Sequence, residues 1–113
     1  MDIKTSLDKY HLMGYIGQKD FLELIKESIN ILLKSKIKYE FRTTVVPNLV
    51  EIEDIVKICD LIKDARKYVL AQFRAKSLLD PGWEDIIPYK EEVLKEMQQI
   101  VLKNKINCEL RIY

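Results

Sequence analysis

The sequence predicts an α/β fold with a parallel sheet and helices packed on one face. Two observations carry this. Short runs rich in β-branched and aromatic residues alternate three times with longer amphipathic segments. Each connection is also long enough for a helical crossover, the usual link between consecutive parallel strands. The repeating strand–helix unit is what half of a β/α barrel looks like. With 113 residues, 48% of them hydrophobic, the chain fits one compact domain over residues 1–113 with ample core material.

Taken in order, residues 1–4 (MDIK) read as the end of a strand, and residues 6–19 as a loop. Asp20, with Glu23 three positions on, is a carboxylate capping box for the helix FLELIKESINILLKSK, residues 21–36. Its inward stripe is expected at Phe21, Leu24, Ile25, Ser28 and Leu32, with Lys34 and Lys36 placed where a helix carboxyl end favours cations. KYEFRTTVV, residues 38–46, is the best strand, stopped by Pro47-Asn48. EIEDIVKICDLIKDA, residues 51–65, is a helix with Ile52, Ile55, Val56, Cys59 and Ile62 on its stripe. KYVLAQF, residues 67–73, is a strand. The segment from Arg74 to Pro88 is a loop, because Asp80-Pro81-Gly82 is a turn signal. Residues 89–103 form a third helix, with Val93, Leu94, Met97, Ile100 and Val101 inward, and residues 108–113 a closing strand.

Composition excludes several classes of function. Nineteen basic against eighteen acidic residues leave a net charge of +1, which argues against a nucleic-acid-gripping protein. No apolar run approaches membrane-span length, and the first ten residues lack the apolar stretch of a signal peptide. Two cysteines, Cys59 and Cys108, are too few for a disulfide scaffold, so a soluble, cytoplasmic chain is expected. The single histidine, His11, argues against a His-based metal site and against a Ser-His-Asp or Cys-His nucleophile. Gly14 and Gly17 lack the third glycine and the lysine of a phosphate loop.

The strands depart from the rule that buried parallel strands are apolar on both sides. In residues 38–46, Tyr39, Phe41, Thr43 and Val45 share one face, while Glu40, Arg42 and Thr44 share the other. Asp2 and Lys4 also project to one side. In residues 67–73, Tyr68 and Leu70 alternate into Gln72 and then Arg74, bringing polar groups to the same surface. On the residues alone two readings stand: a sheet with one solvated face, or a ligand surface near the carboxyl ends of the strands. Lys4, Arg42 and Arg74 would suit a carboxylate or phosphate.

The same residues resemble the second half of radical S-adenosylmethionine activases for glycyl-radical enzymes, above all the anaerobic ribonucleoside-triphosphate reductase activating proteins, with the pyruvate formate-lyase activating enzymes next. The matching features are Met1-Asp2-Ile3-Lys4, then Phe41-Arg42-Thr43-Thr44-Val45-Val46-Pro47, then Val69-Leu70-Ala71-Gln72-Phe73-Arg74 and Leu79-Asp80-Pro81. The resemblance implies three βα units of a partial (β/α)6 TIM-like radical-SAM barrel. In such enzymes S-adenosylmethionine lies against a [4Fe–4S] cluster, which cleaves it reductively, and the resulting radical takes hydrogen from a glycine of the partner enzyme. It implies that Asp2 and Lys4 line the cofactor and radical site, that Arg42 bonds the methionine carboxylate or ribose, and that Thr44 sits beside the adenine. Arg74 falls where the pyruvate formate-lyase type has a histidine near the nucleoside.

The departure from that family is large. Its Cys-x-x-x-Cys-x-x-Cys and Gly-Gly-Glu motifs are absent, and two cysteines cannot supply a three-thiolate site. Cys59, on a buried stripe, reads as an inert core residue. The chain is therefore expected to be a fragment, from an internal start, a split gene or a truncation. It would be silent alone, bind no cluster itself, and take as partners a glycyl-radical enzyme and the missing amino-terminal half. Exposed sheet edges predict self-association. The other reading is a stand-alone α/β module that binds an anionic small molecule or a protein partner. Trp83 reads as a lid or a docking side chain, with Ile86 and Ile87 expected to be buried beside it, and Glu91, Glu92, Lys95 and Glu96 as a solvated helix face.

Overall fold

The computed structural model describes residues 1–13, 19–36, 38–73 and 87–112, with side chains outside 11–13 and 19–21. In chain order the elements are a 3-10 helix (Leu7–Met13), α1 (Lys19–Lys34), β1 (Phe41–Val45), α2 (Ile52–Leu61), β2 (Lys67–Gln72), α3 (Glu91–Lys103) and β3 (Asn107–Arg111). The strands form one parallel sheet in the order β1-β2-β3. A helix separates each strand from the next, the α/β arrangement that the alternating pattern predicts. The amino-terminal residues extend the sheet beyond β1 through a parallel bridge between Asp2 and Arg42. There the Ile3 N–H donates to the Arg42 carbonyl at 2.7 Å, and the Arg42 N–H to the Met1 carbonyl at 2.9 Å.

The core lies between the sheet and the helices. Ile25 and Ile29 of α1, Ile55, Ile58 and Cys59 of α2, and Leu94, Met97 and Val101 of α3 are buried against Phe41, Val45, Tyr68 and Leu70. Each such aliphatic side chain withdrawn from water contributes about 1.5–3 kcal/mol before conformational entropy is subtracted. The sheet thus has one face sealed by helices, as a segment of a β/α barrel would.

Several details depart from the sequence expectations. α1 begins at Lys19, so Asp20 lies within its first turn and is not its N-cap. Its inward stripe is Leu22, Ile25, Ile29, Leu32 and Leu33, whereas Leu24 and Ile31 are 58% and 62% exposed. The apolar residues of α1 span too wide an arc for periodicity to fix its phase. On α2, Val56 is exposed while Ile52, Ile55, Ile58, Cys59 and Ile62 face inward. β1 is shorter than predicted, its pairing starting at Phe41 opposite Tyr68. The loop expected at residues 6–19 contains the 3-10 helix. Ile87 is 83% exposed, not buried. Trp83, Ile86, Gly14, Gly17 and the Leu79-Asp80-Pro81-Gly82 turn lie outside the described residues, as does the side chain of His11.

Candidate functional site

The face of the sheet turned away from the helices collects the polar residues. Register partners on parallel strands share a face, and successive residues alternate between faces. One row across the sheet is therefore Asp2, Arg42, Val69 and Glu109. The next row toward the carboxyl ends contains Thr44, Ala71 and Arg111. Lys4 lies on the same side as Asp2, its ammonium 3.6 Å from the Asp2 carboxylate. Val69 and Ala71, 0% and 1% exposed, lie between these charges as a buried apolar strip.

The charges differ in how far they are committed. Arg111 donates from Nε to Glu109 at 2.7 Å, and its Nη2 lies 3.6 Å from Glu40, so its guanidinium reaches across β2. Lys67 stands 3.2 Å from Glu109 and 3.9 Å from Glu40. The Arg111 hydrogen bond, then Lys67, hold the Glu109 carboxyl below the usual carboxylate range. The Arg42 guanidinium, by contrast, makes no hydrogen bond or ion pair with another described residue. Arg42 is half-buried, its backbone is bridged to that of Asp2, and its guanidinium donors are available to a planar anion.

The strand carrying Asp2 and Lys4 is fixed from behind. Thr43 on β1 donates its hydroxyl proton to the Ile3 carbonyl at 2.7 Å. That proton being used, the buried Tyr68 hydroxyl, 2.5 Å away, must donate to Thr43. Beyond Lys4 the chain is tied to the start of α2. Asp54, 1% exposed, accepts from Lys9 Nζ at 2.6 Å and from the Glu51 N–H at 2.8 Å, and shares the single Ser6 hydroxyl proton with Asp8, each carboxylate 2.6 Å from Ser6 Oγ. Burial pushes the Asp54 carboxyl up, but the Lys9, Ser6 and Glu51 hydrogen bonds outweigh it and the net shift is downward. Lys9 is raised in return, chiefly by its bond to Asp54. The Glu51–Asp54 pair closes the first turn of α2 like a capping box. Thr5 adds a hydrogen bond to the Leu49 carbonyl at 2.6 Å.

Of the five residues the sequence marks as a ligand site, the structure brings Asp2, Lys4, Arg42 and Thr44 onto one face. Arg74 lies outside the described residues. The strands are parallel and Arg42 points away from the helical layer. Gln72 does not join the group, because Val45↔Gln72 is a register pair and Val45 faces the core. Its amide instead reaches toward the Tyr89 carbonyl at 3.4 Å on the helix side. Of the residues that β2 gives to this face, Val69 and Ala71 are apolar and buried, and Lys67 is charged. The other charges on this face come from Lys67 at the start of β2 and from Glu109 and Arg111 on β3, which sequence reading missed. The alternation in Asn107-Cys108-Glu109-Leu110-Arg111 was the available signal. The Ser6–Lys9–Asp54 network was also missed, although Glu51-x-x-Asp54 at a helix start is a capping spacing.

Neither cysteine faces this site. Cys59 is buried in α2, and Cys108 lies on the helix side of β3. Burial pushes their thiols up to about 11 and about 12. Two protonated thiols on the far side of the sheet do not fit a [4Fe–4S] cluster, which takes thiolates.

Comparison with known proteins gives one informative likeness. The chain is 30% identical over 115 aligned positions, 98% of its length, to a protein of Methanocaldococcus jannaschii provisionally named a glycyl-radical enzyme activating enzyme. It spans about half (47%) of that relative's length. No family model matches the chain. No solved structure matches it either. No helix among the described residues is long and apolar enough to cross a membrane.

Proposed function

We propose that this chain is the carboxyl-terminal portion, about three β/α units, of a radical S-adenosylmethionine enzyme that activates a glycyl-radical enzyme. The observation that carries the reading is the likeness to the Methanocaldococcus jannaschii protein along 98% of the chain. The clustering of Asp2, Lys4, Arg42 and Thr44 on one open sheet face supports it. S-adenosylmethionine supplies the radical chemistry in such enzymes. Arg42 takes its methionine carboxylate or ribose through paired N–H donors, and Thr44 stands beside the adenine. Asp2 and Lys4 line the reacting end, and Arg74 falls where the pyruvate formate-lyase type has a histidine near the nucleoside. The cysteine triad for the cluster comes from residues outside these 113, which by themselves are catalytically silent. Its partner is a glycyl-radical enzyme of the anaerobic ribonucleotide reductase or pyruvate formate-lyase type, in the cytoplasm.

A second reading is favoured by the uncommitted guanidinium of Arg42. In it the chain is a stand-alone α/β module that binds a small anion on the same face. The two separate in a reconstitution. Combined with a segment carrying the cysteine triad, iron, sulfide and a reductant, the chain should restore S-adenosylmethionine cleavage. Arg42→Ala should weaken cofactor binding roughly tenfold or more, the worth of a lost charged hydrogen bond. No cleavage above the triad segment alone, or cleavage and binding indifferent to Arg42→Ala, would reject the activase reading.

A further inference from the structure

The outer edge of β3 carries a self-complementary pattern that lies beyond the activase reading and does not depend on it. Arg42 turns its N–H and C=O toward the amino-terminal segment. Phe41, Thr43 and Val45 therefore turn theirs toward β2. Following the registers, Tyr68 and Leu70 face β3, and Asn107, Glu109 and Arg111 face back to β2. The backbone groups of Cys108, Leu110 and Ile112 thus point outward. Among the described residues no strand pairs with this edge. The outward Cys108 carbonyl accepts from Gln98 Nε2 at 2.9 Å, which leaves it a second lone pair.

We propose that two copies of this chain join through β3, antiparallel, about a twofold axis at Leu110. Outward-facing residues must oppose outward-facing residues, so only a few registers are open. Centring the axis on Glu109 sets Glu109 against its own copy, and centring it on Arg111 does the same for that arginine. Both place like charges directly opposite, which is unfavourable. Centring on Cys108 overlaps fewer strand residues. Centring on Leu110 sets Glu109 against Arg111 of the second copy twice over, on the open face. These are non-hydrogen-bonded pairs, where side chains of an antiparallel ladder approach closest. On the opposite face Leu110 meets its copy and Cys108 meets Ile112. These three are part-exposed apolar side chains. Charge and apolarity select one register together, and the product is one sheet running through both copies.

The test is sedimentation over a dilution series with amide hydrogen exchange on the same samples. The 13.4 kDa chain should pass to twice that mass as concentration rises, with Leu110 protected in step, while Glu109, bonded to β2, is protected throughout. Glu109→Arg should raise the dissociation constant about tenfold or more. The swap Glu109→Arg with Arg111→Glu should restore association. If Glu109→Arg fails to fold, exchange in the unaltered chain still decides. A 13.4 kDa species at every concentration overturns the proposal, as does concentration-independent exchange at Leu110. Protection confined to residues 1–4 moves association to the other edge and equally overturns it.

Discussion

Asp54→Asn is the substitution from which the structure predicts most. The wild-type carboxylate, almost fully buried, takes hydrogen bonds at 2.6 Å from Lys9 and 2.8 Å from the Glu51 N–H, and shares the Ser6 hydroxyl proton with Asp8. Asparagine keeps the shape but has one acceptor oxygen, presents N–H donors to donors, and cannot neutralise Lys9. Hydrogen bonds to charged groups are worth about 1.5–3 kcal/mol each, and neighbours are not additive. The Lys9 side chain is 22% exposed and keeps Glu51 at 3.3 Å, which softens the loss. The expected cost is about 2–4 kcal/mol, a large share of the roughly 5–15 kcal/mol available to a domain of this size. Urea unfolding measures it. The pH dependence has a definite sign. Asp54 is depressed in the folded state, so its contribution is complete above the unfolded value near ~4 and is lost as pH falls through the lower folded value. Lys9 is raised, so its contribution is complete below about 10.4 and is lost as pH rises through the higher folded value. Asp54→Asn should flatten the acid limb and erase most of the alkaline one. A change below about 0.5 kcal/mol with both limbs intact would show that the network does not anchor the amino-terminal segment.

Two further outcomes follow from the buried groups behind the site. Thr43→Val should cost about 1–3 kcal/mol, because it strands the Tyr68 hydroxyl and the Ile3 carbonyl in the core; amides of residues 1–4 should lose exchange protection, and unchanged protection would count against this. Cys59 and Cys108, raised to about 11 and about 12 by burial, should resist alkylation at pH 8 until the chain is unfolded, whereas rapid labelling of the folded chain would contradict their placement.

The strand–helix order was legible because the strands are short, β-branched and separated by helices with clear apolar spacing. The open face was legible at Arg42 and Thr44 because β1 alternates cleanly between faces. β2 was not, since Val69 and Ala71 are as apolar as Tyr68 and Leu70, and a strand buried on both sides gives no parity signal. The error at Gln72 follows from that. The phase of α1 failed for a similar reason, with apolar residues on several sides of the helix. Long-range ties such as Ser6 to Asp54 and Thr43 to Ile3 join residues 40 or more positions apart, and no local pattern announces such pairs.

The central claim is that the open face built from Asp2, Lys4, Arg42 and Thr44 receives S-adenosylmethionine. Titrating the labelled chain with that compound while following backbone amide shifts tests it directly. The account predicts saturable shifts at these four residues together, lost in Arg42→Ala. Shifts confined to the helical side, such as Ser6 and Lys57, or no saturable response at any concentration, would contradict it.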